Sequence, residues 1–348
     1  MTGKMKVALM TSLGEMEIIE RDIPSVEENE VLVQLEYVGI CGSDLHYFET
    51  GRLGDFIVKY PFVLGHEACG IVVETGKSVK NLAVGDRVAL EPGKTCGQCS
   101  YCKEGKYNLC SEVVFFAAPP DDGVFQEYVA HEAKLCYKLP ENVSAKEGAL
   151  IEPLAVGFHA AMQGGAKLGQ TAVVTGAGCI GLVSMMALKA MGVSNVYIVD
   201  VLKNRLDKAL ELGATGVINA REEDSVAAIM KLTDSVGCDL AIETAGTNVT
   251  TQQVIRMAKK GATIVLVGYT PTGIVDLPVG MALDKELTIK TVFRYRNMYP
   301  MAIHAVADGK VNLTGLVSHE FLLDDIQNAM SLSSSNKTEI VKAVIRIK

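Results

Sequence analysis

"TAVVTGAGCIGLVSMMALKAMGVSNVYIVD", residues 171–200, is the stretch on which the fold turns. A short apolar run, TAVVT, enters a glycine-rich turn. An apolar segment too long for a strand follows, then a second run rich in β-branched residues that ends at Asp200. Hydropathy alone allows a membrane span over 171–193, but its glycines and Lys189 suit a buried strand, turn and helix. The alternation then continues. "KNRLDKALELGA" reads as a helix leading to "GVINA", and "EDSVAAIMKLTDSVG" as a helix leading to "CDLAIET". A helix over about 248–260 precedes "ATIVLVG" (262–268), with "ELTIKTVF" (286–293) after it. Regular strand-helix alternation predicts a doubly wound parallel sheet covered by helices on both faces.

Gly176, Gly178 and Gly181 have G-x-G-x-x-G spacing, which alone is a weak signal in a chain with 33 glycines. Here the triplet follows a strand, opens a helix and precedes an acidic residue at the end of the next strand, and that context makes it a Rossmann dinucleotide fingerprint. The glycines permit a tight turn and close approach of the backbone to a pyrophosphate at the helix N-terminus. A carboxylate at Asp200 accepts from ribose hydroxyls and repels a 2′-phosphate, which favours NAD over NADP. Lys203 and Arg205 lie close enough downstream to temper that choice, with Arg205 expected beside the adenosine half. Cys179 inside the loop reads as a small tolerated side chain, with a redox-sensitive thiol as the alternative.

Up to about residue 150 the signals are strand-like: "EVLVQLEYVGI" (30–40), "ACGIVVETG" (68–76), "DRVAL" (86–90) and "GVFQEYVA" (123–130) are short, β-rich and bounded by Gly, Pro or Asp. They suggest a barrel or folded sheet. The tail from about 296 mixes helix and strand and is expected to complete this first domain. The 348 residues exceed one ordinary core, so two domains are expected. A net charge of -8 with no Lys/Arg run argues against nucleic acid or an anionic membrane as partner. The N-terminus carries no apolar segment of signal-peptide length, and the reading is a cytoplasmic protein.

Nine cysteines fit that compartment. "CGQCSYCKEGKYNLC" sets Cys96, Cys99, Cys102 and Cys110 at C-x2-C-x2-C-x7-C, and four thiolates on one loop close a tetrahedral shell around a structural zinc. An iron–sulfur cluster also uses four thiolates, but the long last gap and the lack of Pro after Cys110 count against it. "ICGSDLHY" (40–47) offers Cys41, Ser43 and His46 without a second Cys at knuckle spacing. "VLGHEACG" adds His66 and Glu67, and "LIEPLAV" adds Glu152. Cys41, His66 and Glu67 give three protein ligands with a fourth position open, the mark of a catalytic zinc. Glu152 would hold the metal's water or ligate when the site rearranges. Against this stands the plainer reading of a lone buried Cys or His as core, and of the His-Glu pair as lying outside the ligand shell.

At these residues the chain resembles the zinc-dependent medium-chain dehydrogenases over nearly its full length, and within them the polyol branch of sorbitol and xylitol dehydrogenase type. "GICGSDLHYFETGRLGDFIVKYPFVLGHEACG", "EPGKTCGQCSYCKEGKYNLC", "PPDDGVFQEY", "GALIEPLAVGFHA", "TGAGCIGL" and "VFRYRNMYP" carry the resemblance. It implies a GroES-like catalytic domain over 1–154, completed by about 296–348, and a Rossmann NAD-binding domain over 155–295, with the active site between them. It implies Cys41, His66 and Glu67 as catalytic-zinc ligands and Cys96, Cys99, Cys102 and Cys110 as structural ones, two zinc ions per subunit. Tyr47, Glu152, Arg294 and Tyr295 become polyol or zinc-water contacts, with Arg296 a less certain member because neighbours on a strand face opposite ways. Gly176, Gly178, Ile180, Gly181, Asp200, Arg205, Val267, Gly268 and Phe293 make the NAD site. Ser43 and His46 match a proton relay, and exit through Glu152 competes with it. The family assembles as tetramers or dimers.

The expected activity is oxidation of a sugar alcohol to its ketose, zinc acting as Lewis acid on the hydroxyl and NAD taking the hydride. The same scaffold acting on a vicinal diol such as 2,3-butanediol, or on L-threonine, is the alternative. A non-catalytic NAD or redox sensor is a third reading, which an open metal site argues against.

Overall fold

Strand Glu30–Gly39 lies at the centre of the first of two units. Its consecutive buried residues Val31, Leu32 and Val33 mark a strand covered on both faces. One edge pairs antiparallel with Glu67–Thr75. The other edge is shared: Tyr128–Glu132 pairs residues 30–34, and Ala343–Arg346 pairs residues 37–39. Arg87–Leu90 and Cys136–Lys138 extend the seven-stranded sheet on one side, and His319–Leu322 on the other. Register breaks between Leu32 and Val33 and between Leu35 and Tyr37 bend the central strand, as β-bulges do. Val33, Leu35, Val38, Leu64, Leu90, Phe125 and Ile345 fill the core that results.

The computed structural model describes residues 1–270 and 273–348; the first unit is Met1–Glu152 with Leu313–Lys348, the second Pro153–Asn312. The chain end is thus part of the first sheet, because the central strand needs hydrogen-bond partners beyond residue 34. Helix Tyr299–Ala307 belongs to the second unit, so residues 296–312, expected with the first, do not lie there. The strand expected over 123–130 starts later, at Tyr128. Gly123 to Phe125 instead bond the backbone of Val63, Leu64 and Gly65, and Gly123 approaches so closely that a Cβ would sit 2.4 Å from the Gly65 carbonyl oxygen.

The second unit is a six-stranded parallel sheet in the order Gly216–Asn219, Asn195–Asp200, Thr171–Thr175, Cys238–Glu243, Ala258–Leu266, Thr288–Thr291. The order reverses direction between Thr171–Thr175 and Cys238–Glu243, and ligands bind at the carboxyl ends of strands at such a switch point. Helix Cys179–Ala190 follows the first of these strands and is buried over Gly181–Leu188. Among the described residues no helix is long and apolar enough to cross a membrane.

His131 on strand Tyr128–Glu132 is buried, and its Nε2–H donates to the Glu91 carbonyl at 2.9 Å. Burial lowers its pKa to about 4, a pull that the hydrogen bond to Glu91 only partly offsets. A histidine whose folded pKa is depressed contributes stability that is present above its unfolded value near 6.5 and lost as pH falls toward 4. Wild type is expected to lose about 2–3 kcal/mol more than His131→Gln between pH 7 and pH 4. Urea midpoints measured across that range check this, and equal pH slopes for the two proteins would refute it.

Candidate metal centre and dinucleotide site

Helix Gly42–Thr50 begins at Cys41, whose extended backbone (φ -92°) makes it the cap residue. Asp44, three residues on and fully buried, accepts from the Cys41 N–H through Oδ2 and from the Gly65 N–H through Oδ1, both at 2.9 Å. Its Oδ1 also lies 3.7 Å from His66 Nδ1. One carboxylate therefore fixes the helix start against the segment carrying His66 and orients the imidazole, the arrangement that metal-binding histidines use. Glu67 opens strand Glu67–Thr75. Cys41, His66 and Glu67 each offer a donor atom, and these atoms all lie within 4.8 Å of one another. Burial opposes a charged His66, yet the Asp44 carboxylate and the Cys41 sulfur outweigh it and raise its pKa well above the usual histidine value. A thiol, an imidazole and a carboxylate brought this close, the last two buried, fit a divalent ion of borderline softness such as zinc.

The other predicted residues fall less uniformly. Glu152, buried in the first turn of helix Ile151–Gly164, is not in that three-residue group. Ser43 is half-buried and His46 exposed, three residues apart on one helix. Tyr47 is buried with its ring 6.5 Å from Phe62. In the second unit the edge strand ends at Thr291, so residues 294–296 do not alternate as on a strand. Arg294 has φ 54°, an uncommon conformation for a residue with a Cβ, and packs 4.9 Å over the Phe293 ring. Tyr295 is buried 5.7 Å from Tyr299, and Arg296 contributes to holding His159 neutral, after burial.

The sulfur atoms of Cys96, Cys99, Cys102 and Cys110 form the second group within 4.8 Å. The Cys99 N–H points to the Cys96 sulfur at 3.4 Å and the Cys102 N–H to the Cys99 sulfur at 3.5 Å. Backbone donors from Gln98 and Cys99 lower the Cys96 pKa to about 7, toward the thiolate that metal binding requires. Glu91 anchors the lobe: its buried carboxylate accepts from Tyr107 in the cysteine loop at 2.7 Å and from Tyr137 in the sheet at 2.9 Å.

At the glycine-rich loop, Gly176 has φ 95°, and a Cβ on Gly181 would lie 1.8 Å from the Gly176 carbonyl oxygen. Gly181 therefore lets the helix pack on the turn, whereas a Cβ on Gly178 would meet nothing nearer than Arg205 at 3.9 Å and leaves the backbone open to a ligand. Asp200 accepts from Ala177 N–H at 2.6 Å, Val201 N–H at 2.7 Å and Leu202 N–H at 2.9 Å. Ile180, Arg205, Val267 and Gly268 are each half-buried, while Phe293 is exposed. Sequence reasoning missed Glu243. This buried carboxylate accepts from Ala245 N–H, Gly246 N–H and Thr250 Oγ1, each at 2.8 Å, and fixes the loop after its strand. An acidic residue closing an apolar strand before Thr-Ala-Gly was the available signal. Gly181→Ala should cost about 1–3 kcal/mol by overpacking. Gly178→Ala should leave the melting temperature in place and weaken NADH binding, read by fluorescence titration, at least about tenfold through the lost close approach. Normal NADH affinity in Gly178→Ala would overturn the assignment of this loop.

Residues 27–141 match the family model of the alcohol dehydrogenase GroES-like domain, and residues 179–308 match that of the zinc-binding dehydrogenase. The chain is 40% identical to sorbitol dehydrogenase of Bacillus subtilis (strain 168), over 98% of this chain and 97% of that protein. It is 45% identical to human sorbitol dehydrogenase over 89% of this chain and 87% of that protein. A solved Escherichia coli structure, an oxidoreductase/dehydrogenase of unknown specificity, superposes with TM-score 0.96 at 43% identity, covering 99% of this chain and 100% of the other. Two domain matches, full-length relatives and a superposable structure agree, and the chain belongs to the zinc-binding, GroES-like alcohol dehydrogenase family that includes the sorbitol dehydrogenases.

Proposed function

We propose that this protein is an NAD-dependent, zinc-dependent polyol dehydrogenase interconverting a sugar alcohol and its ketose. The observation that carries the reading is the Cys41–His66–Glu67 group, Cys41 half-buried and the other two buried, with donors within 4.8 Å. Three protein donors leave a tetrahedral ion one position for substrate, unlike the closed four-cysteine group. When bound, zinc supplies Lewis-acid polarisation of a substrate hydroxyl, and NAD accepts the hydride. Cys41, His66 and Glu67 hold the metal, and Asp44 keeps His66 oriented. Glu152 accepts a hydrogen bond from the reacting hydroxyl or its water. Ser43 and the exposed His46, on one helix, pass the proton to solvent, with Glu152 as the second route. Tyr47 in the first unit, and Arg294 and Tyr295 in the second, bind further hydroxyls, and side chains that bond hydroxyls select against analogues lacking them. Gly176, Gly178, Ile180 and Gly181 cradle the pyrophosphate, Asp200 and Arg205 the adenosine ribose, and Val267, Gly268 and Phe293 border the nicotinamide half.

The protein assembles as a homotetramer or homodimer. Strand Thr288–Thr291, at the edge of the parallel sheet, is exposed at every residue, Ile289 included, and Leu283 in the preceding helix Val279–Asp284 is exposed as well. Such an edge is a template for pairing with a second copy. All nine cysteines are free, five of them in the two groups of metal donors, which suits the reducing cytoplasm.

The decisive experiment follows NADH formation over sorbitol, xylitol, L-arabinitol, galactitol, 2,3-butanediol and L-threonine, with and without chelator. Turnover of a polyol that ceases on metal removal is expected. A preference for the diol or for threonine, or full activity after both metals are gone, would sink the reading. Cys41→Ser should abolish NAD reduction with little change in melting temperature. Cys99→Ser should chiefly lower stability, as loss of a structural metal does.

A further inference from the structure

Gly39, Glu67 and Lys342 meet at one point in the first unit, and sheet register puts them there. Gly39 pairs with Glu67 on one side and with Val344 on the other. A Cβ on Gly39 would lie 2.0 Å from Glu67 Oε2, so glycine provides the space the carboxylate occupies. Lys342, just before strand Ala343–Arg346, is 3% exposed, and Glu67 is 1% exposed. The lysine Nζ donates to Glu67 Oε1 at 2.6 Å, lies 2.5 Å from Oε2, and donates to the Ile40 carbonyl at 2.9 Å. The backbone repeats the tie, since the Ile40 N–H donates to the Ala343 carbonyl at 3.0 Å. Lys342 is therefore fastened to the residue before Cys41 and to Glu67 together.

On the reading that Cys41, His66 and Glu67 hold the metal, we propose that Lys342 is a positioning residue of that centre, which straddles the Glu67 carboxylate and limits how strongly it donates to zinc. A carboxylate whose charge is shared with a buried ammonium is a weaker ligand, and the ammonium itself repels a cation close by. Both effects keep the ion electrophilic and leave its open position to substrate. Gly39 sets where the carboxylate sits, and Lys342 sets how much of its charge the metal receives.

Zinc release to a chromogenic chelator tests this on the intact zinc-loaded protein, and the phase belonging to this site is the one missing from Cys41→Ser. If Cys41→Ser and wild type release the same zinc in the same phases, the metal-centre reading itself fails. If the phase is identified, Lys342→Met is expected to slow it at least about tenfold, the scale on which outer-shell partners act. It should also lower kcat more than it raises KM, and Lys342→Arg should restore both within about threefold. Unchanged or faster release from folded Lys342→Met overturns the proposal while leaving the metal centre standing. Should Lys342→Met not fold, Glu67→Gln/Lys342→Met removes both buried charges and is compared with Glu67→Gln, which keeps the ammonium. The double variant should release the ion more slowly than Glu67→Gln, because the repulsion by the ammonium is gone, and equal or faster release also overturns the proposal.

Discussion

The structure of the first unit depends on a lysine and a glutamate taken out of water together. Burying either ion alone costs several kcal/mol, and their attraction offsets this only with good geometry and further hydrogen bonds. The Lys342 ammonium has both, with the Glu67 carboxylate on one side and the Ile40 carbonyl on another. Losing one partner from such a pair costs about 3–5 kcal/mol. Because the pair joins the last strand to the segments bearing Cys41 and Glu67, the discontinuity of this unit has an electrostatic reason as well as a sheet-pairing one. The chain end completes the sheet and neutralises the site in one move.

The two cysteine-bearing groups use similar donors and differ in how they are held. Cys96, Cys99, Cys102 and Cys110 lie within one loop, where backbone N–H groups face two of the sulfurs. That group is local and closed, and Glu91 with its two tyrosine donors suffices to anchor it. Cys41 and His66 come from separate segments and meet because Asp44 accepts from both neighbourhoods. A group assembled over distance can keep a position open, since no single loop dictates its geometry. Its cost is a set of buried charges that must balance.

That difference decides what could be read from the amino-acid order. The glycine fingerprint and the C-x2-C-x2-C-x7-C run carry their meaning within a few residues, and the doubly wound parallel sheet followed from strand-helix alternation. Cys41, His66 and Glu67 could be named from residue type and resemblance. Gly39 and Lys342 could not, because their roles exist only once pairing brings residues 39, 67 and 344 into register. The start of the strand at Tyr128 was missed for the same reason, Gly123 being extended against Leu64 and Gly65 before any ladder forms. Arg296 was weighed by strand alternation, and the strand stops at Thr291. Asp44 was legible in principle, as an acidic residue in the first turn after a capping position.

Three buried or half-buried carboxylates share a task that residue type alone does not announce. Asp44, Asp200 and Glu243 each accept two or three hydrogen bonds, most of them from backbone N–H groups of a turn. Charged acceptors make stronger bonds than neutral ones, so each fixes the geometry of the turn it bonds. Asp200 carries the consequence furthest. It was read as a ribose acceptor that sets the cofactor, yet it also fastens the glycine loop at Ala177 and the chain after its own strand at Val201 and Leu202. Replacing it to admit a 2′-phosphate would therefore loosen the pyrophosphate cradle as well as remove the repulsion. On the proposed reading of Asp200, cofactor choice and loop order are coupled through one side chain, and a change of preference there requires a new partner for the Ala177 N–H.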